Sequence, residues 1–264
     1  MLMHSNCKFD LHDVTFLIPV RIDSDERKLN LNAVIKLLSK DFYAQIIVLE
    51  AGNKQIVQKS ELKCDFSYDY IYDVDTVFYK TKYINRLLRM ADTKYAIVWD
   101  VDVVALPNMV NKAVQRVRNK EAFLTFPYDG RVYTVSNILS DNFRQTLKYE
   151  TLTDNSSLMN LMYGYYSRGG AYVVEREEFL KIGGENENFY GWGPEDLERV
   201  VRMEILDLKV NFEQGGVLFH LWHPRNENSW FANREIELKN RRAYLYTCQS
   251  DKESILQNIK KCKK

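Results

Sequence analysis

No stretch of 18 apolar residues occurs anywhere in the 264-residue chain, which excludes a membrane-spanning helix. The opening MLMHSNCKFDLHD lacks the apolar run of a secretion signal, so a cytoplasmic location is expected, with peripheral docking at a membrane left open. Cysteine is scarce: Cys7, Cys64, Cys248 and Cys262 form no Cys-x-x-Cys pair. That argues against a zinc knuckle or a disulfide framework, and the four read as reduced thiols. An excess of one charge is also missing, since 37 Lys+Arg stand against 36 Asp+Glu. With a net charge of +1 the chain has no long-range field to gather nucleic acid or anionic lipid, apart from a short basic tail at Lys260 to Lys264. Repeats, linkers and low-complexity segments are absent too. What remains is one large domain, or one domain with a lid, acting on a small partner.

The apolar pattern supplies an order of elements. Val14 to Val20 (VTFLIPV) is a continuous apolar run ending in the polar RIDSDER, as a strand buried on both faces would run into a loop. Leu31, Val34, Ile35 and Leu38 recur at helical spacing, and Gln45 to Glu50 reads as a second strand. A helix carrying Tyr83, Ile84, Leu87, Leu88 and Ala91 leads to a third strand, Tyr95 to Trp99. Pro107 suits the first turn of a following helix, and Ala122 to Phe126 reads as another strand. This alternation predicts an α/β fold with a mostly parallel sheet flanked by helices, whose ligands bind at the carboxyl ends of the strands. Beyond about residue 130 the pattern loosens into a smaller half: tyrosines at 163, 165 and 166, Gly169-Gly170, a short strand Ala171 to Val174, and a helix from Pro194. The two halves are expected to share one sheet; the helical residues 226–264 could pack on the core, bind a partner or touch a membrane, and packing is preferred because their aromatics need burial.

Three constellations carry chemistry. Asp100-Val101-Asp102 follows the third strand, and a carboxylate pair there can hold a hard divalent cation, although two acids at a loop start are commonly just solvated. His220-Leu221-Trp222-His223 contributes two of the four histidines, and mixed His/Asp sites suit manganese; without partners such histidines are more often surface or core residues. Tyr190-Gly191-Trp192-Gly193-Pro194-Glu195-Asp196 places two glycines around an indole and two carboxylates in the first turn of a helix. A helix start with acids near its positive end explains the carboxylates but not Gly-Trp-Gly. An aromatic face beside carboxylates suits a sugar, and the helix dipole is expected to keep both acids ionised, which favours a base over a general acid.

Taken in order, these residues resemble the β-1,4-galactosyltransferase and chondroitin-synthase-like glycosyltransferases of the GT-A fold. Ile18-Pro19-Val20-Arg21 is similar to that family's nucleotide-holding Ile-Pro-Phe-Arg, and Thr76 to Asn85 to its Phe-Asn-Arg-Ala-Lys-Leu-Leu-Asn segment. Asp100-Val101-Asp102 matches its Asp-Val-Asp, Gly169-Gly170 its Gly-Gly, and Tyr190 to Asp196 its Trp-Gly-Trp-Gly-Gly-Glu-Asp. The likeness runs from residue 14 to about 225 and leaves 226–264 outside. It implies Asp102, His220 and His223 as ligands of Mn2+ or another divalent cation, with His220 standing where the animal enzymes have methionine. It further implies Asp196 as catalytic base, and Gly169, Gly170, Trp192 and Glu195 as sugar-binding or acceptor-binding residues. Pro19, Arg21, Asp75, Lys80, Asp100 and Val101 then lie against the nucleotide, Lys80 replacing an arginine and so lacking its bidentate fork. Pro194 replaces a glycine and stiffens the loop. Ser167-Arg168 stands where the animal enzymes have Tyr-Phe, leaving room for an N-acetyl group unless Arg168 refills it.

The implied reaction is an inverting transfer of Gal or GalNAc from a UDP-sugar to a glycan or lipid-linked acceptor, with the Gly191 to Gly193 loop as a lid. Three rivals are weaker. A glycoside hydrolase needs no diphosphate metal site, and a nucleotidyltransferase has no use for Gly-Trp-Gly-x-Glu-Asp. An inactive sugar- or nucleotide-binding module survives only if Asp102 or Asp196 is misplaced.

Overall fold

In the computed structural model, residues 8–163, 166–225 and 230–262 are described; Cys7, Tyr165 and the last two lysines lie outside them, as does the side chain of Cys262. Eleven strands and nine α-helices are found among the described residues. The first half reads β1 (Phe9–Val20), α1 (Asp25–Asp41), β2 (Phe42–Gly52), β3 (Ser67–Tyr72), α2 (Lys80–Met90), β4 (Tyr95–Trp99), β5 (Val103–Ala105), α3 (Pro107–Arg118) and β6 (Leu124–Phe126). It continues with β7 (Val132–Thr134), α4 (Asn137–Thr146), α5 (Glu150–Thr153), β8 (Asn160–Leu161), β9 (Ala171–Glu175) and α6 (Arg176–Lys181). Last come α7 (Glu195–Ile205), β10 (Val210–Phe212), β11 (Leu218–His220), α8 (Arg234–Gln249) and α9 (Lys252–Cys262).

The main sheet has the order β10-β6-β9-β4-β1-β2-β3. β1 lies at its centre between β2 and β4, parallel to both, and its apolar run Val14 to Val20 is buried throughout. Such a strand is covered by helices on both faces, so it shows no alternation. One strand reverses direction: β9 runs antiparallel to both β4 and β6, so the sheet is mixed and not wholly parallel. Because β9 and β10 come from the second half of the chain, the two halves share this sheet, as expected from the sequence.

A single large core cluster fills the space around the sheet, with Phe16 meeting Trp99 edge-on at 5.7 Å. Each fully buried Phe, Leu or Ile there contributes about 1.5–3 kcal/mol. The second sheet, β5-β11-β7-β8, has its own small cluster of Leu37, Val104, Val135, Phe143, Leu152, Phe219 and Leu221. Its strands are two or three residues long and escaped the sequence reading, apart from the apolar Val217 to Phe219.

Helix starts follow their local chemistry. Ser24 caps α1 by accepting the Arg27 amide on Oγ, with Asp25 and Glu26 in the first turn. Pro107 opens α3, where its missing N–H costs nothing. Pro194 precedes α7 as its capping residue rather than sitting inside the first turn. The C-terminal α8 packs on α7, with Asn240 and Thr247 buried at the contact. Among the described residues no helix is long and apolar enough to cross a membrane. Cys64 and Cys248 are free.

Candidate active site

The carboxyl ends of β1 and β4, the mouth of the small sheet and the start of α7 enclose one cleft of about 180 Å³. Of the fourteen residues assigned to the nucleotide, sugar, metal and base at the sequence level, all but Asp75 are found along its wall: Pro19, Arg21, Lys80, Asp100, Val101, Asp102, Gly169, Gly170, Trp192, Glu195, Asp196, His220 and His223 line it. Asp75 does not line the cleft; its carbonyl accepts Arg21 Nη1 at 2.7 Å and its carboxylate accepts the Tyr190 hydroxyl.

Strand register assembles the acid and histidine cluster. After β4 the chain turns through Asp100 and Asp102, and the turn is closed by Trp99 Nε1 donating to the Val103 carbonyl at 3.0 Å. β5 then pairs antiparallel with β11, which sets Val103 opposite His220, and the Leu221 amide donates to the Asp102 carbonyl at 2.8 Å. His220 Nε2 lies 3.5 Å from Asp102 Oδ1, and His223 Nε2 lies 3.1 Å from Asp102 Oδ2. One ligand atom from each of the three residues falls within 4.8 Å of the others, as a shared cation requires.

The protonation pattern fits a metal. His223 Nδ1 lies 2.7 Å from the Pro224 carbonyl and Nε2 3.1 Å from Asp102 Oδ2, so each ring nitrogen has a polar partner that orients the imidazole. Burial, reinforced by Arg225, His223 and Arg27 against the pull of Asp102, lowers His220 to about 4 and leaves it a neutral donor at pH 7. Burial works against the Asp102 charge, but His220, His223 and Arg27 outweigh it and hold the carboxyl well below its usual range. A carboxylate and two imidazoles are a donor set that suits manganese or zinc.

Lys80 opens α2 and places Nζ 2.7–2.8 Å from both oxygens of Asp100. Burial opposes its charge, but Asp100, Asp196 and Glu195 outweigh that and hold the ammonium protonated. Arg21 lines the same wall with three of its N–H groups engaged: Nε to the Ala51 carbonyl, Nη1 to the Asp75 carbonyl and Nη2 to Asp73 at 2.6 Å. It is therefore a fixed part of the wall more than a free clamp.

The two carboxylates of α7 face different surroundings. Asp196 Oδ1 accepts from Arg199 Nη2 at 2.8 Å, and its Oδ2 sits so close to Gly169 that a Cβ there would meet it at 2.3 Å. Gly169 therefore allows the close approach. Arg199 is itself 1% exposed, bonded to Glu185 at 2.7 Å and stacked over Tyr172. Glu195 is buried, and its Oε2 has no hydrogen-bond partner among the described residues. Burial, then the charge of Asp196, pushes its carboxyl up to about 8. The expectation that the helix dipole would ionise both acids thus fails for Glu195, because desolvation exceeds the dipole's effect.

The glycine loop is pinned from an unexpected side. Asn240 of α8 donates to the carbonyls of Tyr190 and Trp192 at 3.0 and 3.1 Å and accepts the Tyr190 amide at 3.4 Å. Gly191 has φ +72°, and a Cβ there would meet Val77 at 2.4 Å. Trp192 stacks on Trp230, with centroids 4.8 Å apart, and Phe231 meets it edge-on. Arg27, Arg199, Asn240 and Trp230 were not recognised at the sequence level: a lone Arg, Asn or Trp carries no spacing signal. Ser167 lines the cleft, and Arg168 is not among its lining residues.

A seven-stranded mixed sheet with a single reversed strand, and an acidic turn at the carboxyl end of β4, define the GT-A glycosyltransferase fold. Drosophila β-1,4-galactosyltransferase 7 in complex with manganese, UDP-Gal and xylobiose superposes over 87% of this chain and 79% of its own, with TM-score 0.55 and 17% identity. GalNAc-T7 with UDP, GalNAc and Mn2+ superposes over 88% of this chain and 47% of its own, with TM-score 0.57 and 13% identity. Within that fold, residues 151–224 match the family described as the N-terminal domain of galactosyltransferase. Mouse β-1,4-galactosyltransferase 4 is 33% identical over 85 residues, which is 30% of this chain and 24% of the mouse enzyme. The matched segment thus spans about a quarter of the length of that relative.

Proposed function

We propose that the chain is a metal-dependent inverting glycosyltransferase that moves Gal or GalNAc from a UDP-sugar to a hydroxyl of a glycan acceptor. The observation that carries this is the convergence in one cleft of the Asp102, His220 and His223 cluster with the Glu195 and Asp196 pair, Lys80 lying within the field of both carboxylate groups. The manganese and UDP or UDP-sugar in the two superposed enzymes, and the sugars bound with them, support the same reading.

Asp102, His220 and His223 would hold the cation, which when bound supplies Lewis-acid stabilisation to the departing diphosphate. Lys80 adds a fixed positive charge beside Asp100, and the walls at Pro19, Arg21 and Val101 receive the nucleotide. Asp196 accepts the proton of the attacking hydroxyl through Oδ2, since Arg199 occupies Oδ1 and orients the group. A base so placed accounts for roughly 10²–10⁴ in rate. Glu195, protonated at neutral pH, can donate a hydrogen bond to a sugar oxygen. Trp192 and the glycine loop hold the sugar and exclude water, which limits hydrolysis of the donor. The space beside Ser167 favours GalNAc as donor.

The test is release of UDP from UDP-Gal and UDP-GalNAc, with Mn2+ and with chelator, against an array of acceptor glycans. Chelator-sensitive release with acceptor-dependent acceleration is expected. A chain that binds UDP but releases none from either donor is a binding module, and the proposal fails.

A further inference from the structure

Arg27 lies in the first turn of α1, and its guanidinium is inserted into the acid and histidine cluster. Nη1 donates to Asp102 Oδ2 at 3.1 Å, Nη2 lies 3.1 and 3.4 Å from the two ring nitrogens of His223, and Nε donates to Asp23 Oδ1 at 2.8 Å. Its side chain is 16% exposed and that of Asp102 is 7%. The fork of Arg27 thus reaches both Asp102 Oδ2 and His223 Nε2, which are themselves 3.1 Å apart. These are atoms a shared cation would need, so Arg27 already places a positive charge at that buried focus.

Resting on the metal reading above, we propose that Arg27 is the built-in counter-cation of the Asp102, His220 and His223 cluster, displaced when a divalent cation binds and then free to pair with the diphosphate. The guanidinium and a divalent ion cannot share one focus, because they compete for the same lone pairs and repel each other. Asp23 also lines the cleft, so the Nε bond to its carboxylate keeps Arg27 in the cleft after it leaves Asp102. A planar guanidinium released beside a diphosphate can bond two of its oxygens, which Lys80, with its single ammonium, does less well. Arg27 thereby restores the bidentate arginine that the nucleotide wall otherwise lacks, since the donors of Arg21 are largely engaged within the protein.

The proposal requires effects of opposite sign from one substitution. In Arg27→Met, affinity for Mn2+ alone, read from the free-ion EPR signal, should rise about tenfold because the competitor is gone, while UDP affinity at saturating Mn2+, read by calorimetry, should fall about tenfold. Arg27→Lys, which keeps the charge but not the fork, should leave Mn2+ affinity near wild type and lose part of the UDP affinity; it also serves if the methionine variant does not fold. Weaker Mn2+ binding in Arg27→Met, or both affinities unchanged, would make Arg27 a structural ion pair and overturn the proposal alone. No Mn2+ uptake by wild type or either variant would overturn the metal reading and this proposal together.

Discussion

Asn240→Ala is the sharpest probe of how the C-terminal extension serves the cleft. Asn240 is fully buried, yet it lies on a helix outside the resemblance. Its side chain makes three hydrogen bonds to the backbone of the Tyr190 to Trp192 loop. Truncation removes about 1 kcal/mol for each bond, so roughly 2–3 kcal/mol in all, and strands two carbonyls and one amide at the half-buried loop. For a chain of this size that corresponds to a fall of roughly 5–10 °C in melting temperature. The loop carries Trp192 and leads into Glu195 and Asp196, so acceptor-dependent transfer should fall while UDP binding in the presence of Mn2+ is retained. Asn240→Asp should be worse than Asn240→Ala, because a carboxylate would face the Tyr190 and Trp192 carbonyls with no donor between them. The measurements are thermal unfolding, calorimetric UDP titration and initial rates of transfer. A melting temperature and transfer rate equal to wild type would refute the view that α8 holds the loop.

Three other outcomes are expected. Glu195 carries a carboxyl raised to about 8, against 4.5 when unfolded, so it destabilises the fold progressively as pH rises from about 4.5 to about 8 and fully above that; Glu195→Gln should melt close to wild type at pH 4.5 and clearly above it at pH 8.5, and an equal difference at both would contradict the burial argument. Asp196→Asn keeps an acceptor for Arg199 but loses the base, so kcat should drop at least about a hundredfold with donor affinity unchanged, and a mild loss in steady-state kinetics would move the base elsewhere. Ser167→Tyr fills the space beside the sugar, so the ratio of UDP-GalNAc to UDP-Gal turnover should fall; a constant ratio assigns donor choice to another residue.

The residues of the cleft were legible because each belongs to a pattern with a local cause. Asp100 and Asp102 stand at the end of an apolar strand, Gly191 and Gly193 flank an indole, and Glu195 and Asp196 fall at a helix start, all visible over a few positions. Arg27 and Asn240 have no such signal. An arginine in an amphipathic helix and an asparagine in a charged one read as solvated, and only packing turns them inward. β3, β7, β8 and β10 were missed because two to six partly exposed residues give too short a period to separate from loop. The ionisation of Glu195 was misread because the dipole is a property of one helix, whereas desolvation depends on everything packed around it.

The order of strands and helices, the central buried strand and the types of residue able to bind a cation or a sugar were determined by the chain itself, since hydrophobic period and strand-end position act over short separations. Tertiary structure alone decided that β9 runs backwards, that β5 pairs with β11 so that Asp102 meets His220 and His223, that Arg27 enters their focus, and that α8 braces the glycine loop. Those outcomes rest on register and burial between segments far apart in sequence, where a small local preference is overruled by the free energy of closing the core.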